Sequence, residues 1–96
     1  MRFEWDDSKN RINREKHGLD FEAVVAFDWE NALLADRTRQ SDGEQRYAAL
    51  GLYEGKIHTV VFAKRGLSIR IISLRRSNRK EEKAYASAKG KDETRA

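Results

Sequence analysis

The chain of 96 residues has no cysteine and no proline, and its six glycines stand singly at positions 18, 43, 51, 55, 66 and 90. Without thiols there is no disulfide framework, no thiolate nucleophile and no cysteine-based metal site. Isolated glycines do not build the Gly-rich loop that cradles a nucleotide phosphate, so a nucleotide-hydrolysing domain is not supported. Imidazole is nearly as scarce. His17 and His58 lie far apart on different predicted elements, which makes zinc unsuited, and no metal or cofactor is expected. No apolar run approaches the roughly 20 residues that span a bilayer. The opening Met1-Arg2-Phe3-Glu4-Trp5 reads as a strand and lacks the charged-then-apolar pattern of a secretory leader, so a cytoplasmic protein with no membrane partner is the expectation.

What the chain does have is charge, unevenly spread. Residues 1–63 carry nine Lys/Arg against twelve Asp/Glu, and residues 64–96 carry eleven against four, so the overall +4 conceals a C-terminal third of +7. Its densest part is Lys64 to Lys80, KRGLSIRIISLRRSNRK, with seven basic residues, no acidic one and an Ile-Ile pair at its centre. A solvated tail would lack that apolar centre. The segment reads as a buried strand bearing arginines, running into a helix that opens with further cations. Phosphate is the natural counterpart of positive charge on such a platform.

Periodicity and turn chemistry predict an α+β fold of order β-α-α-β-β-β-β-α, with two N-terminal helices and a C-terminal helix packed on a mainly antiparallel sheet. Asp6-Asp7 can cap a helix through His17, which Gly18 stops in the left-handed conformation. Asp20 caps a second short helix whose Phe21, Val24 and Val25 share a face. Ala32–Thr38 is a strand with an apolar start and a charged finish, followed by a polar turn over Gln40–Glu44. Glu54-Gly55 and Arg65-Gly66 then separate three consecutive strands as an antiparallel meander. Asn78 with Glu81 three residues on resembles a capping box, and Ala84, Tyr85 and Ala88 form the packing face of the last helix. Residues 1–88 read as one domain. Residues 89–96, apolar only at the terminal alanine, read as a disordered tail.

The side chains able to carry chemistry are Lys16, His17, Glu44, Arg46, Arg65, Arg70, Arg75, Arg76 and Tyr85. Cleavage of RNA by its own 2′-hydroxyl needs a base, an acid and cations around the developing phosphorane, and this inventory holds all three types. Each also has a structural use. His17 and Lys16 complement the helix C-terminus, Glu44 and Arg46 can form an ordinary ion pair, and Tyr85 can pack the last helix on the sheet. Arg70 lies between Ile69 and Ile71 within a strand, where its charge must reach a groove or be paired, so it is the leading single candidate. By strand parity Arg76 joins Arg70 on one face and Arg75 faces the other way, unless a bulge shifts the register.

Several fragments in order resemble the BrnT toxins of bacterial type II toxin–antitoxin systems: Phe3-Glu4-Trp5-Asp6, Lys16-His17-Gly18, Phe21-Glu22-Ala23, Gly43-Glu44-x-Arg46, Gly51, Arg70-Ile71-Ile72-Ser73-x-Arg75 and Glu81-x-x-x-Tyr85. The resemblance implies a RelE-like fold and a ribonuclease that arrests translation. It also implies neutralisation by a BrnA-type ribbon-helix-helix antitoxin, and operator DNA bound through that antitoxin. Positions matching the family's polar motifs are Lys16, His17, Glu44, Arg46, Arg70, Ser73, Arg75, Glu81 and Tyr85. Two departures stand out. Asp28-Trp29-Glu30 replaces an Asp-Pro turn, a change expected to alter only a loop, and Leu74 replaces an alanine.

The expectation is therefore a metal-independent endoribonuclease toxin with Arg70, Arg46, Glu44, His17 and Lys16 as catalytic candidates. Lys64, Arg65, Arg75, Arg76, Arg79 and Lys80 are the RNA-binding candidates. A non-catalytic basic module that binds nucleic acid or an acidic protein segment is the alternative. Some of the same arginines, Arg75, Arg76 and Arg79, are also candidates for antitoxin docking.

Overall fold

The computed structural model describes residues 2–38 and 44–95, with side chains to residue 90. Residues 40–43 of the expected polar turn lie outside the described residues. The order is β1 (Arg2–Glu4), α1 (Asp7–His17), a 3-10 turn (Phe21–Val25), β2 (Leu33–Asp36), β3 (Arg46–Tyr53), β4 (Lys56–Arg65), β5 (Ser68–Arg76) and α2 (Arg79–Arg95). The five strands form one mixed sheet in the order β1-β5-β4-β3-β2. β2 to β5 are antiparallel neighbours, and β1 runs parallel to β5 over Arg2–Glu4 and Ser68–Arg70.

The predicted punctuation is present. Asp6 accepts the Lys9 amide at 3.0 Å to open α1, and Gly18 closes it at φ 70° with its amide on the Arg14 carbonyl. Glu54 and Gly55 both take positive φ, 51° and 76°, the geometry of a two-residue hairpin whose twist suits its strands. The second helix is instead a 3-10 turn. With three residues per turn, Phe21 and Val24 eclipse each other and both are fully buried, whereas Val25 is 70% exposed and leaves the predicted apolar face. The C-terminal helix continues to Arg95, through residues assigned above to a disordered tail. No proline interrupts residues 86–95, Ala, Lys, Glu and Arg among them favour a helix, and low hydropathy alone does not break one.

Two clusters pack on opposite faces of the sheet. On the first face Phe21, Val24 and Phe27 cover Ala49, Val60, Phe62, Ile71 and Leu74. Trp29 belongs to this core and not merely to a loop. Its ring meets Phe3, Phe27 and Phe62 at centroid distances of 5.5, 5.0 and 5.5 Å, and its indole N–H donates to the Val24 carbonyl at 2.8 Å. Gly51 lies under this packing, where a Cβ would stand 2.8 Å from the Phe27 ring. On the second face Ala48, Leu50 and Tyr85 of α2 form a smaller cluster, flanked by Leu33 and Ile57.

The residues that α1 buries are both asparagines, Asn10 and Asn13. The Asn10 amide oxygen accepts the Phe21 N–H at 2.8 Å. Asn13 accepts the Leu74 N–H at 3.1 Å and donates to the Leu74 carbonyl at 2.8 Å, so its side chain serves β5 as a one-residue strand partner past the end of β1. This fixes the His17 end of α1 beside β5, the strand that carries the basic segment.

Candidate active site

The register of β5 decides which arginines share a surface. Phe62 pairs with Ile71 and Val61 with Ser73, leaving Ile72 as an extra residue in a bulge. Ile71 and Leu74 therefore both face the aromatic core, although three residues separate them. Arg70, Ser73 and Arg75, opposite Ala63, Val61 and Thr59, face α2, and Arg76 turns to the aromatic side. The parity argument that joined Arg76 to Arg70 is thus corrected. Arg75 is the partner of Arg70, because the bulge inserts one residue between them.

On the α2 side Arg70, Ala63 and Arg46 form one cross-strand row, and the Arg37 amide donates to the Arg46 carbonyl at 2.8 Å, extending the row past β2. The small Ala63 side chain leaves room between the long ones. Arg37, Arg46 and Arg75 line a cavity of about 320 Å³ with Thr59 and Val61. Thr59 and Ser77 share a hydroxyl–hydroxyl hydrogen bond of 2.7 Å beneath it.

Glu81 sets the electrostatics. Its side chain is 8% exposed and takes two parallel hydrogen bonds from Arg75, at 2.7 and 2.9 Å, with Arg37 a further 3.6 Å away. It also accepts the Asn78 amide at 2.9 Å while Asn78 accepts the Glu81 amide at 2.8 Å, which completes the predicted capping box. The Arg75 hydrogen bonds, against the opposing effect of burial and with help from the Asn78 amide, hold the Glu81 carboxyl at a pKa of about 2. Glu81 is thus a fixed anion that orients Arg75, not a proton carrier at neutral pH. Arg37 and Arg75 both lie within 4 Å of Glu81, and Arg46 lines the same cavity, so guanidinium donors are gathered as a phosphodiester and its transition state would require.

The model of the BrnT family, ribonuclease toxins of type II toxin–antitoxin systems, matches residues 5–81. The chain belongs to the BrnT family. No curated protein matches it significantly. Members of this family are ribonuclease toxins, and a type II toxin has an antitoxin partner and an RNA substrate.

The BrnT motif residues do not all converge. Arg46 and Arg75 line the cleft, and Arg70 stands across Ala63 from Arg46, held by Glu4 at 3.1 Å. Glu44 is engaged by Arg65 at 3.0 Å. Lys16 and His17 lie at the β5 edge, lining with Ile72 and Ser73 a separate hollow of about 190 Å³. Burial, with the charges of Lys16 and Arg75, lowers the pKa of His17 and favours its neutral ring. Among the RNA-binding candidates, Lys64 sits over the Tyr47 ring at 5.4 Å on the aromatic side. Lys80 borders an apolar groove of about 420 Å³ between β2 and α2, and Arg79 is exposed on the first turn of α2. Tyr85 packs α2 on the sheet.

Sequence reasoning missed Arg37 and undervalued Glu81. Arg37 follows Ala35 by two residues at the charged end of a strand, so alternation could have placed it with the inward residues of β2. Glu81 was visible as a helix cap, but its ion pair with Arg75 depends on how α2 crosses the sheet.

Proposed function

We propose that the cleft under α2 is the site at which this BrnT protein cleaves RNA without a metal ion. The 2′-oxygen attacks the adjacent phosphorus, a new O2′–P bond forms, the P–O5′ bond breaks, the leaving 5′-oxygen takes a proton from solvent water, and a 2′,3′-cyclic phosphate and a 5′-hydroxyl result. Arg46 and Arg75, with Arg37, hold the non-bridging oxygens and stabilise the extra negative charge of the phosphorane. Arg70, across Ala63 from Arg46, carries a neighbouring phosphate. His17, whose lowered pKa favours the neutral ring, accepts the 2′-hydroxyl proton across the β5 edge, with Lys16 beside it as an auxiliary cation. Glu44 orders Arg65, and Lys64, Arg79 and Lys80, from their separate positions on the surface, add long-range attraction for the strand.

The observation that carries this assignment is the convergence on one cavity of three arginines, Arg37 just past β2, Arg46 of β3 and Arg75 of β5, with Arg75 held in place by a buried carboxylate. In the cell the protein would arrest translation and growth in the cytoplasm. A BrnA-type ribbon-helix-helix antitoxin would neutralise it, and the pair would bind operator DNA through the antitoxin and repress their own operon.

The test is cleavage of single-stranded RNA by the purified folded chain in EDTA, with Arg46→Ala expected to lower the rate at least about 100-fold. Intact RNA with the folded wild type, together with unimpaired growth on expression, sinks the ribonuclease assignment. Salt-sensitive binding without strand scission selects the non-catalytic nucleic-acid module instead.

A further inference from the structure

A second cleft lies on the opposite face of β5, where the bulge sends Arg76. It measures about 420 Å³ and is lined by His17, Tyr53, Glu54, Lys56, His58 and Arg76, among other residues. His58 and Arg76 are direct cross-strand partners, which puts their side chains on the same face within about 5 Å at Cβ. His58 is 4% exposed, and its Nδ1 lies 2.9 Å from the Lys56 carbonyl. That contact requires the proton on Nδ1, leaving Nε2 as a hydrogen-bond acceptor in the neutral ring. Tyr53 packs edge-on against His58 at 5.2 Å, so an aromatic ring and a fixed imidazole form one wall of the cleft. Lys56 and Arg76 are exposed at its mouth, and among the described residues neither is in an ion pair.

The chemistry of this cleft is that of a nucleotide site. Two uncommitted cations suit a phosphate, an aromatic ring suits a base face, and a buried acceptor suits a base or ribose N–H or O–H donor. Glu54 is the one acid on the lining. Tyr53 donates to it, and that hydrogen bond raises the tyrosine pKa, which keeps the phenol neutral. Position supplies the remaining link. Arg75 and Arg76 are adjacent in sequence and point to opposite faces, and His17 lies at the edge between them, lining this cleft and within electrostatic reach of Arg75. A strand leaving the arginine cleft therefore passes His17 and reaches Arg76 by rounding the end of β5.

We infer that the cleft formed by Tyr53, Lys56, His58 and Arg76 is a subsite for a nucleotide flanking the cut, so that bound RNA wraps the end of β5. This rests on the ribonuclease assignment of the α2-side cleft. The test measures binding of fluorescent 2′-O-methyl RNA, which cannot be cut by its own hydroxyl, as a dinucleotide and as an octamer. Lys56→Gln/Arg76→Gln should bind the octamer about tenfold more weakly, with a salt slope smaller by about 1.4, about 0.7 for each lost phosphate contact on a single strand. The dinucleotide, which occupies only the arginine cleft, should bind unchanged. Tyr53→Phe should retain octamer affinity and Tyr53→Ala lose part of it, since stacking needs the ring and not the hydroxyl. Octamer affinity and salt slope unchanged in the double variant overturn the subsite. Because the probe is uncleavable, that result is distinct from failure of the wild type to cut ordinary RNA, which overturns the ribonuclease assignment.

Discussion

On one face of the sheet, Phe21, Val24, Phe27 and Trp29 press against Val60, Phe62, Ile71 and Leu74, and aromatic rings meet one another in a chain from Phe3 to Tyr47. On the other face Ala48, Leu50, Ala63 and Tyr85 are buried apolar residues, and the positions around them carry Arg37, Arg46, Arg70 and Arg75. The same strands supply both faces. Apolar burial stabilises in proportion to area, so the aromatic face contributes most of the stability, and that leaves the other face able to tolerate clustered like charge. Glu81 is where the two needs meet, since it both caps α2 and partly neutralises the arginines.

The largest effect expected from this division is at Phe62, 3% exposed in the aromatic core. Phe62→Ala should lower unfolding free energy by about 3–5 kcal/mol in urea titrations. RNA cleavage per folded molecule should be retained, and a specific loss of cleavage would mean that the faces are not separable. Next in size is Glu81→Gln, which retains the capping geometry and removes the charge. It should cost about 2 kcal/mol at pH 7 and slow cleavage about tenfold, because Arg75 loses its orienting partner.

The pH dependence of the wild type tests the same pair. The Glu81 pKa falls from 4.5 to about 2 on folding, so its contribution is fully present above about pH 4.5 and is lost as pH falls toward 2. The contribution is up to about 3 kcal/mol. Equal acid sensitivity of the wild type and Glu81→Gln would show that the pair does not stabilise the α2 side. Smallest in stability is Arg37→Gln. With its side chain 50% exposed and 3.6 Å from Glu81, it should change stability by no more than about 0.5 kcal/mol while reducing cleavage severalfold.

Much of the fold was legible because its signals are local. Asp6 and Gly18 bracket α1, Glu54-Gly55 turns the hairpin, and Asn78 with Glu81 opens α2, each through contacts within a few residues. The candidate site was only partly legible. Arg46, Arg70 and Arg75 were recognised as strand arginines, but Arg37 was missed because nothing local links it to Arg46. The loop expected from Asp28-Trp29-Glu30 proved to be a core contact, since the partners of Trp29 come from β1 and β4.

The sequence by itself determined the family, the α+β order, the meander and the concentration of positive charge after residue 63, all properties of local pattern and composition. Only the tertiary structure decided which arginines share a face of the sheet. Side-chain direction along a strand has a period of two, and a single unpaired residue reverses it for everything beyond. Ile72 is that residue, identifiable only against β4. It moves Arg75 to the side of Arg70 and Arg46, and sends Arg76 to His58 on the other face.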